Sequence, residues 1–485
     1  MSGLVEQRGI DLVSPTQRYG KPFDLFFLWA GTTTNIFTVS YGAMLVILFG
    51  LSFWQAAAVI VVGNILAYPL LSLTSVTGPV TGTTTITISR SSFGPNGARI
   101  AGVLSWLMLI GFEAGGLILV YYAVSSLIGN IAGVTPDGGV QIALIIALGA
   151  IQMVLPLVGH KLLMVAQKYA TIIFAISFVV LAFLILPQAN FDNGDGASPA
   201  ALVSACGLVM VSGGLSWAPS GANFSRYLPA NSSQPAVGFW AAMGGFVPYV
   251  LLQTLGAAMA TVTVGDSLDL SDPLAVPAVL APAFAIPFLI LVAVGLLIQN
   301  GTNLYSSGLN LQTAGLKVPR MLIVVTDTIA CIIIAIIATS QSTFYDLLSA
   351  FIGSMSIWLA PWVAVFIVDW AQRRGSYNLA GLEGKPGSAY WGTNGIRLPG
   401  MIALITGMIF AALCANTGYF VGPLAALWNS ADPMASPDLS IPVGMLVAGV
   451  IYALTNRVSR PAPVRVPGDN SAKVSTTPEQ PAPIA

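Results

Sequence analysis

Charge is what this sequence has least of. Asp, Glu, Lys and Arg make up only 7% of its 485 residues, against about 25% in a soluble globular chain. So few charges cannot cover a water-facing surface of that size, which excludes a soluble multidomain protein. A basic excess is missing too: 18 Lys and Arg stand against 18 Asp and Glu. Nothing is left over to neutralise a phosphate backbone, so nucleic acid is excluded as a partner. Histidine occurs once, as His160, and cysteine three times, as Cys206, Cys331 and Cys414, each inside an apolar run. That excludes a disulfide framework and a histidine-rich metal centre. There is no His-Glu-x-x-His, no Gly-x-Ser-x-Gly and no phosphate-cradling loop. The expectation is therefore no enzyme, no resident cofactor and no ATP drive.

What is present is apolar sequence: 55% of the chain, with a mean hydropathy of +0.83. Runs of about 20 apolar residues are candidate membrane helices, and twelve can be read. They lie near 25–50, 53–75, 100–128, 139–159, 162–187, 200–222, 236–264, 279–312, 321–340, 343–370, 398–418 and 439–456. The charges test that count. With the N-terminus in the cytoplasm, all 18 basic residues fall in cytoplasmic segments. The outer loops carry acids instead: Asp137, Asp192, Asp195, Asp266, Asp269, Asp272, Asp432 and Asp438. A miscount by one helix would scatter the basic residues over both sides. The expected organisation is a cytoplasmic N-terminal segment over 1–24 without a cleavable signal peptide, a twelve-helix domain over 25–456, and a disordered cytoplasmic tail over 457–485 rich in Pro, Ser and Thr.

Non-helical backbone is tolerated at membrane depth only where it lines a cavity, so interrupted spans are informative. Span 1 carries Gly31-Thr32-Thr33-Thr34-Asn35, and span 6 carries Ser212-Gly213-Gly214 followed by Ser216-Trp217-Ala218-Pro219. The two lie five spans apart, each opening a block of five. Broken helices in corresponding positions point to an inverted-repeat transporter with its site at the midplane. Close helix packing by small residues would explain either one alone, but explains the pair less well.

Spans 3 and 8 correspond in the same way. Span 3 holds Glu113, and an ionisable residue in mid-membrane is a functional hypothesis by default. Span 8 holds Gln299, Asn300 and Asn303, with the two asparagines on one helix face. Carboxamides offer both donors and acceptors, which suits a planar heterocycle with mixed edges such as a nucleobase. Interhelical hydrogen bonding is the competing account. Trp217, in the broken part of span 6, can stack on a flat ring or simply pack. Asp327 in span 9 reads as a packing or gating residue, and Asp369 at the end of span 10 as a partner for its own helix end. The rings of charge or repeated filters of a channel are absent.

From about Pro22 to Arg457 the chain resembles the nucleobase–cation symporter family, in particular its purine–cytosine permease branch. The resemblance rests on the Trp29–Asn35, Arg90–Gly97, Trp217–Pro229, Asn300–Gly308 and Ile367–Arg374 stretches, matched in order and spacing. It implies an all-α integral membrane protein of the leucine-transporter type: ten helices in two inverted repeats, helices 1 and 6 discontinuous, plus two peripheral helices. It implies alternating-access symport of a purine or cytosine across the plasma membrane, by a protein functional as a monomer. Carried over by position, Asn35, Glu113, Trp217 and Asn303 would line the site, with Gln299 and Asn300 beside it.

Two departures follow. Relatives place a tryptophan in span 3 where this chain has Leu109, so Phe112 would have to complete any aromatic sandwich. Sodium-coupled relatives use span 1 carbonyls and span 8 hydroxyls, and the matching span 8 positions here are Leu297 and Ile298. Gly31 and Thr34 remain as ion-coupling candidates, but the sodium design looks incomplete and H+ becomes the expected coupling ion. Glu113 would then carry the proton, because a carboxyl entering a dry site is cheaper neutral than charged. Allantoin, hydantoin, uracil, thiamine or pyridoxine as cargo, and Na+ as ion, are the alternatives.

Overall fold

A chain with more apolar residues than an interior can hold must turn some of them outward. The computed structural model describes residues 10–154, 160–262, 274, 282–315, 320–341, 344–432 and 435–456. Residues 1–9 of the N-terminal segment, the expected outer-loop acids Asp266, Asp269 and Asp272, and the tail over 457–485 lie outside the described residues. The helices are α1 (Asp24–Thr33), α2 (Ile36–Ile47), α3 (Phe53–Ser75), α4 (Arg90–Ala132), α5 (Gly138–Gln152), α6 (His160–Ile185), α7 (Pro199–Met210), α8 (Gly221–Ser225), α9 (Gln234–Ala260), α10 (Pro282–Thr313), α11 (Arg320–Gln341), α12 (Phe344–Arg373), α13 (Leu398–Leu413) and α14 (Ser440–Thr455), with short turns between some of them. Among the described residues, eight helical segments are long and apolar enough to cross a membrane, and α2, α5, α13 and α14 are shorter apolar helices. Strand pairing among the described residues is confined to isolated bridges.

The outside is greasy in stripes. On α11, Ile329, Ile333 and Ile337 recur every four residues and are exposed; Ile172, Ile176 and Val180 do the same on α6. Four-residue spacing places each set along one face of its helix. The inside is where the polar groups sit: Asn64, Glu113, Asn223, Arg226, Gln253, Asn310 and Asp327 are all fully buried. That inversion is what a hydrocarbon solvent demands.

Packing defines a bundle with an annex. α10 lies along α4, α9 lies against α1, α2 and α3, and α11 covers α4 and α5. The annex is α13 and α14, which pack on each other and on α12. The C-terminal end of α12 is locked to the start of α4 and to α14. Asp369 accepts hydrogen bonds from Arg373 Nε at 2.7 Å, Ser91 Oγ at 2.6 Å and the Tyr452 hydroxyl at 2.7 Å. The Arg373 guanidinium also donates to the Ser91 carbonyl at 3.1 Å. Asp369 and Arg373 are both buried, so removing either one strands the other, a loss of about 3–5 kcal/mol in comparable pairs.

Span 3 begins earlier than its hydropathy suggests. Helical turns start at Arg90, and Gly94 interrupts them with φ 77° and ψ 165°. A β-carbon there would stand 2.5 Å from the Gly395 carbonyl oxygen. The polar residues before position 100 hide this turn from any apolar count.

Candidate functional site

The site is assembled from two helix breaks and two long helices. The first break follows α1. Thr34 and Asn35 leave helical geometry, with φ −85° and −157°. Asn35 then caps α2: its Oδ1 accepts from the Thr38 amide at 3.3 Å, and its Nδ2 donates to the Thr32 carbonyl at 2.9 Å. Threonine hydroxyls absorb the loose carbonyls. Thr32 donates to Leu28 at 2.9 Å, Thr33 to Trp29 at 2.7 Å, Thr34 to Ala30 at 2.6 Å and Thr38 to Thr33 at 2.6 Å. Self-bonding of this kind lets a chain stop and restart a helix without water.

The second break is a π-helical turn over Val211–Leu215, with Gly213 at φ −103° and ψ −123°. The Tyr249 hydroxyl on α9 donates to the freed Ser212 carbonyl at 2.7 Å. The Tyr249 ring also stacks on Tyr41 of α2 at a centroid distance of 6.3 Å. One tyrosine thus ties the second break to the helix that follows the first. Glycine is required at 214 because a β-carbon would meet the Ala67 carbonyl at 2.5 Å. Beyond the break, α8 is tied to the turn after α3: the Ala222 amide donates to Thr85 Oγ1 at 2.8 Å and the Thr85 amide to Asn223 Oδ1 at 3.2 Å.

Trp217 leaves the second break with its ring edge-to-face on Trp29, at a centroid distance of 5.6 Å and an angle of 68°. Trp29 in turn meets Phe224 at 5.6 Å. On the long helices, Asn300 of α10 lies against α4, where a β-carbon on Gly116 would be 2.5 Å from its Oδ1. Its Nδ2 donates to the Glu113 backbone carbonyl and to Gln152 Oε1 of α5, both at 3.0 Å. That carbonyl can only accept, which fixes the orientation of the amide. Glu113 Oε2 has the Cys331 thiol of α11 at 3.6 Å.

Four acceptor oxygens here have no partner: Glu113 Oε1, Gln299 Oε1, Asn300 Oδ1 and Asn303 Oδ1. Their residues are all buried. A buried acceptor without a donor costs about 1–3 kcal/mol, so four on the adjoining helices α4 and α10 leave unmet demand for N–H groups there. Gln152 Nε2 adds one donor without a partner.

The other sequence candidates make different contacts. Phe112 packs edge-to-face on Phe351 of α12 at 5.1 Å, while Leu109 is buried. Asn35, besides capping α2, borders a small apolar void with Phe174, Phe178 and Phe288. Gly31 and Thr34 are buried in the α1 turn. Sequence reading missed Gln152, Tyr249 and Cys331, which sit in spans that look uniformly apolar. It also missed a cavity of about 600 Å3 between the ends of α2, α7 and α12 and the loop before α14, which Asp346 and Asp438 line. Among the described residues no cluster of His, Cys, Asp and Glu is suited to a metal ion.

Comparison with known proteins places this architecture. The profile of the permeases for cytosine/purines, uracil, thiamine and allantoin matches residues 12–431. YxlA of Bacillus subtilis is 27% identical over 462 residues, covering 92% of this chain and 95% of its own. The purine-cytosine permease fcyB of Emericella nidulans is 24% identical over 381 residues, covering 75% and 73%. Among solved structures, the nucleobase-cation-symport-1 transporter Mhp1, closed with bromovinylhydantoin bound, superposes with a TM-score of 0.73 at 17% identity, covering 93% of this chain and 95% of that one. A Na+-coupled sialic acid symporter has the same fold at a TM-score of 0.59 and 11% identity. The chain is a multi-pass membrane transporter and not an enzyme, and it belongs to the nucleobase–cation symporter family, in its purine–cytosine permease branch.

Proposed function

We propose that this protein imports a purine or cytosine together with a proton, by alternating access across the plasma membrane. The observation that carries the reading is the set of four unpartnered acceptors on α4 and α10. Cytosine, adenine and guanine present an exocyclic amine beside ring nitrogens, so their edges supply the N–H donors that these acceptors lack. Trp217 offers a ring face, and Asn303, Asn300, Gln299 and Glu113 the polar edge. Asn35 contributes by holding the first break in shape. With Phe112 turned to Phe351, the ring is stacked from one side.

The proton reading is supported by what surrounds the first break. The Leu28, Trp29 and Ala30 carbonyls of span 1 already accept threonine hydroxyls, and the void beside Asn35 is lined mainly by phenylalanines and aliphatic side chains, with Ser177 as its one hydroxyl. A sodium ion would want oxygen there. On this reading Thr34 serves the break through its bond to Ala30, Gly31 and Thr34 stay the ion-coupling candidates beside it, and Glu113 is the proton carrier. The rest of the assignment follows the same reading: twelve spans in two inverted repeats of five with α13 and α14 outside them, both termini cytoplasmic, a functional monomer, and the cavity lined by Asp346 and Asp438 as the outer vestibule.

The test is uptake of labelled cytosine in cells lacking their own nucleobase permeases, challenged with unlabelled adenine, hypoxanthine, guanine, uracil, allantoin and hydantoin, with and without a proton uncoupler. Saturable uptake that purines block and the uncoupler abolishes is the expected result. Block by allantoin or hydantoin alone would reassign the cargo, and indifference to the uncoupler would reassign the ion. Asn303→Ala is expected to raise the apparent KM for cytosine about tenfold, since a lost hydrogen bond of about 1.4 kcal/mol is one decade. An unchanged KM removes Asn303 from the site.

A further inference from the structure

A second carboxyl lies at membrane depth in the same groove. Asp327 of α11 is fully buried, as Glu113 is. Its Oδ1 accepts a hydrogen bond from Trp106 Nε1 of α4 at 2.8 Å, and its Oδ2 accepts one from Ser307 Oγ of α10. Among the described residues, no cation pairs with it. The titratable groups that face it are Glu113 on α4 and Cys331 on its own helix. Among the described residues of α10, Ser307 is the one whose side chain is hydrogen-bonded to it.

Position along the helices is the telling part. Trp106 precedes Glu113 by seven residues on α4, and Ser307 follows Asn300 by seven on α10. Seven residues are two turns, roughly 10 Å. Asp327 is thus held two turns from the Glu113–Asn300 contact by both walls of the groove. Cys331 bridges the gap: it is one turn from Asp327 on α11, and its Sγ is 3.6 Å from Glu113 Oε2. The polar trail continues in the same direction. Asn310 Nδ2 donates to Ser105 Oγ at 2.8 Å. At the end of α10, a β-carbon on Gly315 would lie 2.9 Å from Arg99 Nε. The result is a line of polar groups from the carboxyl at the site to the α10 C-terminus, where Asn303, Ser306, Ser307, Asn310 and Thr313 are all buried.

A buried acid with two neutral donors and no cation is costly to keep unless its ionisation is used. We propose that Asp327 is the second proton-holding group of the transport cycle, taking the proton that Glu113 gives up when substrate leaves. The O–H bond on Glu113 breaks, an O–H bond forms on the Asp327 carboxylate, and a water between the Cys331 thiol and Asp327 completes the path. Trp106 and Ser307 hold the acceptor carboxylate in place. Release then follows the Ser105–Asn310 side of the groove. The inference rests on the proton-coupled reading above.

The experiment uses the full chain in lipid vesicles and labelled cytosine, or whichever base in the uptake panel competes best. It compares counterflow exchange without a gradient, accumulation driven by an imposed pH gradient, and the pH signal of a trapped dye. For Asp327→Asn the expected result is counterflow within twofold of wild type, with gradient-driven accumulation and the dye signal reduced at least tenfold. Accumulation with an unchanged pH profile overturns the role of Asp327. If Asp327→Asn loses counterflow as well, Ser307→Ala decides: it keeps the carboxyl and removes one donor, so a displaced pH profile supports the role and an unchanged one overturns it. Wild-type accumulation that ignores the pH gradient overturns the proton reading and this inference together. Accumulation that follows the gradient but is indifferent to Asp327→Asn overturns this inference alone.

Discussion

Glu113→Gln is expected to abolish concentrative uptake in a protein that still folds and inserts. The contact that joins α4 to α10 here runs from Asn300 Nδ2 to the backbone carbonyl of Glu113, not to its side chain. An isosteric amide therefore leaves the helix pair intact. What it removes is a group that can gain and lose a proton. One pH unit is worth about 1.4 kcal/mol, or a tenfold accumulation of a neutral substrate per proton carried. In wild-type vesicles the steady-state accumulation ratio should rise about tenfold for each unit of imposed gradient. In Glu113→Gln it should stay near one at every gradient, whether or not exchange survives. A mutant ratio that still climbs with the gradient would take the proton role away from Glu113 and leave it as a hydrogen-bonding residue only.

The parts of this molecule that sequence reveals are those written locally. The Thr32–Asn35 run and the Ser212–Gly214 run announce breaks because small and hydroxyl residues are out of place in mid-membrane. Both runs do leave helical geometry in the structure. Glu113, Asn300 and Asn303 stand out for the same reason, and all three are buried. Asn35 is less transparent. A cap and a ligand-binding amide are the same residue in the same run, and only the hydrogen bonds to Thr32 and Thr38 tell the roles apart. What sequence could not reveal is pairing at a distance. The partner that orients Asn300 is Gln152, 148 positions away in an apolar run. The ring that takes Phe112 is Phe351, 239 positions further along on α12. Tyr249 carries no local signal in its span, yet its hydroxyl takes the Ser212 carbonyl of the second break and its ring stacks on Tyr41 of α2.

The second large effect is expected at a glycine that touches none of the polar groups of the site. On Gly256 of α9 a β-carbon would stand 1.8 Å from the Val39 carbonyl oxygen, and on Gly42 of α2 it would stand 1.8 Å from the Gln253 carbonyl oxygen. Each glycine thus faces backbone three residues from its counterpart, so α2 and α9 touch main chain to main chain. Small residues are what allow such contacts between membrane helices. Backbone cannot swing aside as a side chain can, so Gly256→Val must push the helices apart. Overpacking a relaxed core costs about 1–3 kcal/mol, and a fixed carbonyl places this substitution at or above the top of that range. The separation would reach the site, because α2 carries Phe37 against Gly115 of α4, two residues from Glu113. It would also draw Tyr249 of α9 off the Ser212 carbonyl that it holds. Gly256→Val should therefore yield little monodisperse protein on size-exclusion chromatography in detergent, and no uptake. Gly207→Ala is the control: its β-carbon would find Ile441 at an ordinary 3.5 Å, and Ala favours helix over Gly by up to about 1 kcal/mol. That variant should match wild type or exceed it in thermal stability. Wild-type yield and uptake from Gly256→Val would mean that α2 and α9 are not in backbone contact, and that the first break is held by Asn35 and the threonines alone.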